Sequence, residues 1–302
     1  MNWLVPIDIG LIMGLIFAWA VLALSLAFRL LNFPDLTVEG SLPIGAATFA
    51  VLLKDGISLP AAMLAGVIAG GLTGAVTGII YVRLKLNKFL AGIIVVAMAY
   101  SVGLRIMAAP NIGLLEYPSI FDALERLNKF IGGPYHIGTI LGLTASLLIG
   151  FLILMWILSS RPGVKIRAAG SNGEYARSIG INVTASMILG LCFTNALAAF
   201  SGVLLASYQG FADIGMGQGV LILALAAMTI GEHIVPKRKL VFYVAVMIAA
   251  IAGSVLYEIL VSLALRIGLA PTDLKLVTAI LVLIVVALRL SEDGQLFEEG
   301  NL

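Results

Sequence analysis

The sequence predicts an all-α polytopic membrane protein of about nine transmembrane segments, within a range of 8–10, with an inverted repeat of broken helices. Three observations predict it. Hydrophobic residues fill 61% of the 302 positions and charged ones 11%, with a mean hydropathy of +1.11. A soluble domain carries roughly 45–50% apolar and about 25% charged residues. Uncharged runs long enough to cross a bilayer recur along the chain, and two shorter, irregular segments begin alike, 178 residues apart. The net charge of +2 is too small to point to nucleic acid or an acidic substrate, so no nucleic-acid partner is expected. Cys192, the one cysteine, lies in an apolar run. It offers no disulfide framework or cysteine-based metal site and suits a small buried hydrophobe.

A helix crosses ~30 Å of hydrocarbon in about 20 residues. Ile9–Phe28 is the first such run, longer than a signal-peptide core and without a clear cleavage site after it. Ile57–Val82, Ile137–Ser160 and Ser178–Ala212 follow. Three more are interrupted: Phe89–Ala109 by Arg105, Leu240–Leu265 by Glu258, and Leu274–Leu290 by Lys275 and Arg289 at its ends. Long basic side chains near span ends snorkel to the headgroups. Arg105 is read that way at the outer interface, with an ion pair to Glu258 as the alternative.

Two segments are awkward. Gly40–Leu53 is only 14 residues free of charge, about 21 Å of helix at ~1.5 Å per residue. To span, it must begin near Phe33, which draws Asp35 and Glu39 to membrane depth. Ile214–Gly231 opens with "IGMGQG", too glycine-rich for regular helix. Both together complete the nine crossings. With the N-terminus outside, twelve of the 18 basic residues fall on inner loops: Arg29; Arg83, Lys85 and Lys88; Arg161, Lys165, Arg167 and Arg177; Lys237, Arg238 and Lys239; and Arg289. Six remain outside, and the positive-inside rule favours this orientation.

The awkward segments match one another. "FPDLTVEGS" (33–41) and "FADIGMGQG" (211–219) share Phe-x-Asp, an aliphatic residue next and an apolar residue two further on. Each leads into an apolar run rich in small residues, the first running outward and the second inward. Interrupted helices at corresponding positions of an inverted repeat mark a substrate pathway, because irregular backbone at membrane depth must be buried in protein or line a cavity. The candidate path residues are Asp35, Thr37, Glu39, Ser41, Asp213 and Gln218. Three roles are open for the carboxylates: contact with a polar substrate group such as an amino acid ammonium, capping of the N–H groups freed at the break, or a solvated position at the inner edge. An intramembrane carboxylate costs on the order of 2.5–3.5 kcal/mol by insertion scales.

The largest inner loop, "SSRPGVKIRAAGSNGEYARSIGINV" (159–183), contains one expected helix. Pro162 and Gly163 stop the preceding span, Ser171 or Asn172 caps the helix with Glu174 in its first turn, and Gly180 ends it. About two turns are too short to be stable alone. The loop is therefore either a solvated positive-inside loop or a docking helix for a cytoplasmic protein. "AAGSNGEYARSIGINV" resembles the coupling segment of permeases in the ribose and branched-chain amino acid ABC importer family, with its G-x-N-x-x-x-A-R-x-x-G-I pattern met by Gly170, Asn172, Ala176, Arg177, Gly180 and Ile181. "PDLTVEGS" resembles the D-L-S-V-G-S stretch of the sugar permeases, with Glu39 as an extra residue before the glycine. Residues 70–104 resemble their third and fourth helices, and "FPDLTVEGS…GAA" looks closer still to a subgroup assigned to tryptophan or tyrosine transport.

That resemblance implies a permease subunit in the cytoplasmic membrane of a bacterium, importing a small polar solute, an aromatic or branched-chain amino acid above all. It implies a second permease copy (the same or a related chain), a cytoplasmic ATPase dimer coupled through Gly170, Asn172, Glu174, Ala176, Arg177 and Gly180, and an extracytoplasmic solute-binding protein. The sequence has no Gly-Lys dipeptide, hence no phosphate-cradling P-loop. No cofactor is expected in this chain, and ATP hydrolysis falls to the partner. An ion-coupled secondary transporter using Asp35, Glu39 or Glu258 is the competing class.

The rest is organised as one transmembrane domain over 1–302. Gly66, Gly70, Gly74 and Gly78 recur every four residues in the third span, the spacing that lets helices approach closely. The outer loop 110–136 carries Ile120, Leu124, Leu127 and Phe130–Ile131 at helical spacing, an amphipathic helix for the interface or for docking the binding protein. The tail 291–302 is acidic. His136 and His233 have no ligand spacing, and no metal is expected.

Overall fold

The computed structural model describes residues 4–131, 136–235 and 240–268, with isolated positions 273, 276, 279, 280 and 283. Apart from those positions, the expected last span at 274–290 lies outside the described residues, as do the basic run at 237–239 and the tail 291–302. Six helices are long and apolar enough to cross a membrane: α1 (Leu4–Arg29), α3 (Leu59–Leu84), α4 (Lys88–Met107), α6 (Ile137–Ser159), α9 (Val183–Gln209) and α11 (Phe242–Arg266). Two broken ones are shorter, α2 (Val38–Lys54) and α10 (Val220–Ile234), about 25 and 22 Å long at ~1.5 Å per residue. The protein is a multi-pass, helical membrane protein, with six full-length candidates and these two shorter helices among the described residues. The helix of the first awkward segment, α2, begins at Val38 and not near Phe33, because Pro34 and the Asp35 turn keep residues 33–36 out of it.

The helices pack as two antiparallel copies of one motif. α3 lies along α9 just as α11 lies along α1, α2 packs on α3 and α9 as α10 packs on α11 and α1, and α1 meets α9 between them. The first helix of each unit thus packs against the third helix of the other. From Gly10 to Phe28 α1 carries no charge and is buried on nearly every side, as expected of a helix with no polar face. By contrast α3 turns Leu64, Ile68 and Leu72 outward, and α6 turns out Leu148, Leu152 and Trp156, surfaces that suit lipid tails.

With no hydrophobic gain between helices in lipid, close approach and interhelical hydrogen bonds hold them. A methyl group added at Gly70 would overlap Ala199 Cβ of α9; at Gly74 it would overlap the Leu191 carbonyl; at Gly66 and Gly78 it would press on the Gly45 carbonyl and on Ile188 Cα. All four glycines of the stripe therefore sit in helix contacts. Ser201 donates to the Ile16 carbonyl at 2.9 Å and Ser254 to the Gly14 carbonyl at 2.8 Å, tying α9 and α11 to α1. Cys192 packs half-buried beside Gly71.

Basic residues gather at one end of the bundle. Lys85, Lys88 and Arg177 line one cavity there, and Arg29 at the end of α1 makes a two-pronged ion pair with Glu232 near the end of α10. At the opposite end a feature absent from the all-α expectation appears. Asn111–Gly113 (β1) and Phe211–Asp213 (β2) form an antiparallel ribbon with Ile112 opposite Ala212. Its neighbour α5 (Ile120–Ile131) is the expected amphipathic helix. It packs on α6, where Leu124 fills the gap left by Gly142, and its Phe121 meets Tyr208 of α9 edge-on at 5.2 Å.

Candidate translocation site

Both breaks are built on the same local device. After α1, Asn32 takes a left-handed conformation (φ +48) and Lys88 donates to its carbonyl at 2.6 Å. Phe33 is fully buried, edge-on to Tyr81 at 5.2 Å. Asp35 Oδ1 then accepts the Thr37 N–H at 2.9 Å, and α2 starts. After α9, Gly210 turns the chain left-handed (φ +74) and the Phe211–Asp213 strand follows. Asp213 Oδ1 accepts the Gly215 N–H at 2.7 Å. Each carboxylate thus closes a turn onto the N–H two residues on, the reason Asp favours such positions.

The surroundings of the two aspartates differ. Asp35 has no exposed surface. Its second oxygen accepts Asn195 Nδ2 at 2.6 Å, Asn195 also donates to the Leu191 carbonyl at 2.9 Å, and Ser41 Oγ donates to Asn195 Oδ1. Ser41 lies 3.0 Å from the Thr37 carbonyl, and the hydroxyls of Thr37 and Thr77 pair at 2.8 Å. Asp35, Thr37 and Ser41 therefore belong to a buried network joining the first break to α3 and α9. That is the geometry of the capping alternative, with Asp35 bracing its own helix start. Asp213 is part-exposed and reaches Asn111 Nδ2 of the ribbon at 3.4 Å.

Glu39 joins the two breaks. Its Oε1 accepts the N–H groups of Gly219 at 3.1 Å and Leu221 at 3.4 Å, so a residue in the first turn of α2 caps α10. An anion at a helix N-terminus is favoured by the unpaired N–H groups and the dipole. Pro43, inside α2, has no N–H for the Glu39 carbonyl one turn back. Gly217 packs against that carbonyl, where a methyl group would overlap it. Beside this contact, Glu39, Gly40, Pro43, Val96, Tyr100, Ile214 and Gln218 enclose a cleft of about 100 Å³.

Of the six path residues read from sequence, only Glu39 and Gln218 line this cleft. Sequence reasoning missed Asn195, Thr77 and Tyr100. Asn195 left a signal, since a carboxamide within the uncharged run Ser178–Ala212 needs a partner in lipid. Arg105 is exposed on α4 and makes no ion pair with Glu258, which is buried on α11. His136, at the turn before α6, and His233, on α10, are both exposed.

The inner loop holds two helices where one was expected. The preceding span ends at Ser159, and Pro162 also occupies the first turn of a new helix, α7 (Arg161–Ser171), where its missing N–H costs nothing. α8 (Gly173–Ser178) follows, capped by Asn172 Oδ1 accepting the Tyr175 N–H at 2.9 Å, with Gly180 at φ +81 after it. Ala176 is buried, whereas Glu174 and Arg177 are exposed. α7 rests on the first break, since a methyl group at Gly170 would overlap the Leu30 carbonyl. It also reaches the second unit: the Arg167 guanidinium lies 4.7 Å over the Tyr243 ring at the start of α11, and Tyr243 pairs with Ser159 at 3.0 Å.

Residues 7–287 match the family model described as branched-chain amino acid transport system / permease component. The chain belongs to this family. A "Tyrosine transport system permease protein" of Clostridioides difficile (strain R20291) is 34% identical over 270 residues, 89% of this chain and 86% of that one. The "Uncharacterized protein RP368" of Rickettsia prowazekii (strain Madrid E) is 33% identical, covering 87% of this chain and 90% of its own. The "Galactofuranose transporter permease protein YtfT" of Escherichia coli (strain K12) is 26% identical, with 84% and 71% covered. No solved structure matches. The permease is thus of the ABC-transporter kind, and the clostridial and Escherichia coli relatives are named as transport permeases.

Proposed function

We propose that the chain is the membrane subunit of a bacterial ABC importer that moves an aromatic or branched-chain amino acid across the cytoplasmic membrane. Its basic end faces the cytoplasm. The observation that carries the reading is the pair of broken helices joined by Glu39, with the α7–α8 segment resting on the chain just before the first break. A cytoplasmic ATPase dimer engages α8 through Glu174 and Arg177. Its closure shifts α7 against Leu30 and Leu31 and against Tyr243 of the other unit. Because α2 and α10 share the Glu39 contact, the two breaks move together and change which side of the path is open. An extracytoplasmic binding protein delivers the solute to the end that carries the ribbon and α5, and a second permease copy completes the path.

The amino acid assignment is supported by the family description and by the name of the clostridial relative. The cleft adds a part-exposed carboxylate beside a Tyr100 ring and a Gln218 amide, groups suited to an ammonium and a flat side chain. The test is co-expression with an ATPase and a binding protein encoded beside the gene, followed by tyrosine, tryptophan and leucine uptake in proteoliposomes. Uptake is expected to need ATP and to fall in Arg177→Ala. Uptake that persists without the ATPase, or follows a proton gradient, would establish instead the ion-coupled reading, which the buried Glu258 on α11 favours.

A further inference from the structure

A cavity of about 620 Å³ lies at the basic end, between the ends of α3 and α9 and the α7–α8 segment. One side carries three cations, Lys85, Lys88 and Arg177; the other is apolar, with Leu31, Val82 and Met187. No carboxylate lines it, and among the described residues none of the three cations has an ion-pair partner. Lys88 spends one N–H on the Asn32 carbonyl and lies 5.9 Å from the Phe33 ring, which leaves its charge uncompensated. The cavity sits where two spanning helices reach the membrane surface. Flanking side chains that suit lipid, Ile79 and Leu84 of α3 and Leu189 of α9, are exposed.

We propose that this cavity binds the headgroup of an anionic phospholipid, with the phosphate between Lys85 and Lys88, which leaves Arg177 to the ATPase contact, and the start of an acyl chain along Val82 and Met187. Charged pockets between helices at the membrane surface recognise such headgroups, and the long basic stems cover the apolar wall while their ends reach the phosphate. The lipid would fill the space between α3 and the segment that leans on the first break, so its presence fixes how far α7 and α8 stand from α3. The site needs only a membrane surface at this end of the bundle and is independent of the transported solute.

The test is native mass spectrometry of the detergent-purified permease with added phosphatidylglycerol or phosphatidylcholine, beside apparent unfolding temperatures with each lipid and with inorganic phosphate. Each lysine near an anionic headgroup is worth roughly fivefold in binding, so Lys85→Gln with Lys88→Gln is expected to lower phosphatidylglycerol retention by roughly 25-fold. Lys85→Arg with Lys88→Arg keeps it and verifies folding, and Arg83→Gln, an exposed neighbour outside the cavity, leaves it unchanged. The proposal is overturned if retention survives the double glutamine variant or falls equally in Arg83→Gln. It is also overturned if inorganic phosphate stabilises as well as the lipid. Loss of the bound lipid from the complex with an ATPase would likewise overturn it and give the cavity to that partner.

Discussion

Replacing Asp35 separates a brace from a substrate contact. The carboxylate has no exposed surface and accepts two hydrogen bonds, from the Thr37 N–H and from Asn195 Nδ2. Truncation to Ala strands both buried donors at about 1–3 kcal/mol each, or about 2–6 kcal/mol together. A chain of this size loses on the order of 2 °C per kcal/mol, so Asp35→Ala should lower the apparent unfolding temperature by roughly 4–12 °C. Asp35→Asn keeps an acceptor for Thr37 but turns an NH2 toward the NH2 of Asn195, at a cost of about 1–2 kcal/mol. The exchange Asp35→Asn with Asn195→Asp restores donor to acceptor across that pair. It leaves the Leu191 carbonyl without its 2.9 Å donor, so recovery should be partial, with a coupling of about 1 kcal/mol. Fluorescence-detected size-exclusion thermostability reads the cycle, and proteoliposome uptake reads transport. Additive single losses would refute the network. An Asp35→Asn variant of unchanged stability but raised KM would return Asp35 to the substrate.

Glu39→Gln, which keeps an acceptor but removes the charge at the α10 N-terminus, should cost about 0.5–1 kcal/mol, and Glu39→Ala more; both are expected to slow uptake before they unfold the protein, as separate thermostability and transport measurements would reveal. Gly70→Ala, which forces overlap with Ala199 Cβ, should cost about 1–3 kcal/mol by overpacking, whereas Gly173→Ala, with its nearest contact at 3.6 Å, should be neutral by thermostability. Asn172→Ala removes the α8 cap at about 1 kcal/mol; because α8 is six residues long, the expected result is lower ATP-dependent uptake with near-normal thermal stability, and Asn172→Asp restores uptake.

Which parts were legible in the sequence follows from the physics of each. Span positions were readable because lipid penalises every charge and every unpaired backbone group; the run from Ile137 became α6 nearly to the residue, and the run Ile9–Phe28 lies inside α1. The two breaks were readable because Phe-x-Asp and the glycine run are local, and a turn closed by an aspartate on the N–H two residues on needs no distant partner. The helix start at Val38 was misplaced because length was asked to span alone, when buried polar partners allow irregular chain at depth. The helix that Pro162 opens was missed because a proline that ends one helix and one that opens the next look alike until the following turn is seen.

The sequence by itself determined the membrane class, the repeated break and the capped helix of the 159–183 loop, since each depends on composition or on neighbours within a few residues. Tertiary structure alone decided which partners the polar residues of the breaks meet. Asp35 and Glu39 sit four apart, yet one is sealed against Asn195 of α9 and the other caps α10. Their partners lie 160 and 180 residues away. Only the antiparallel packing of the two units brings such distant groups within hydrogen-bond reach.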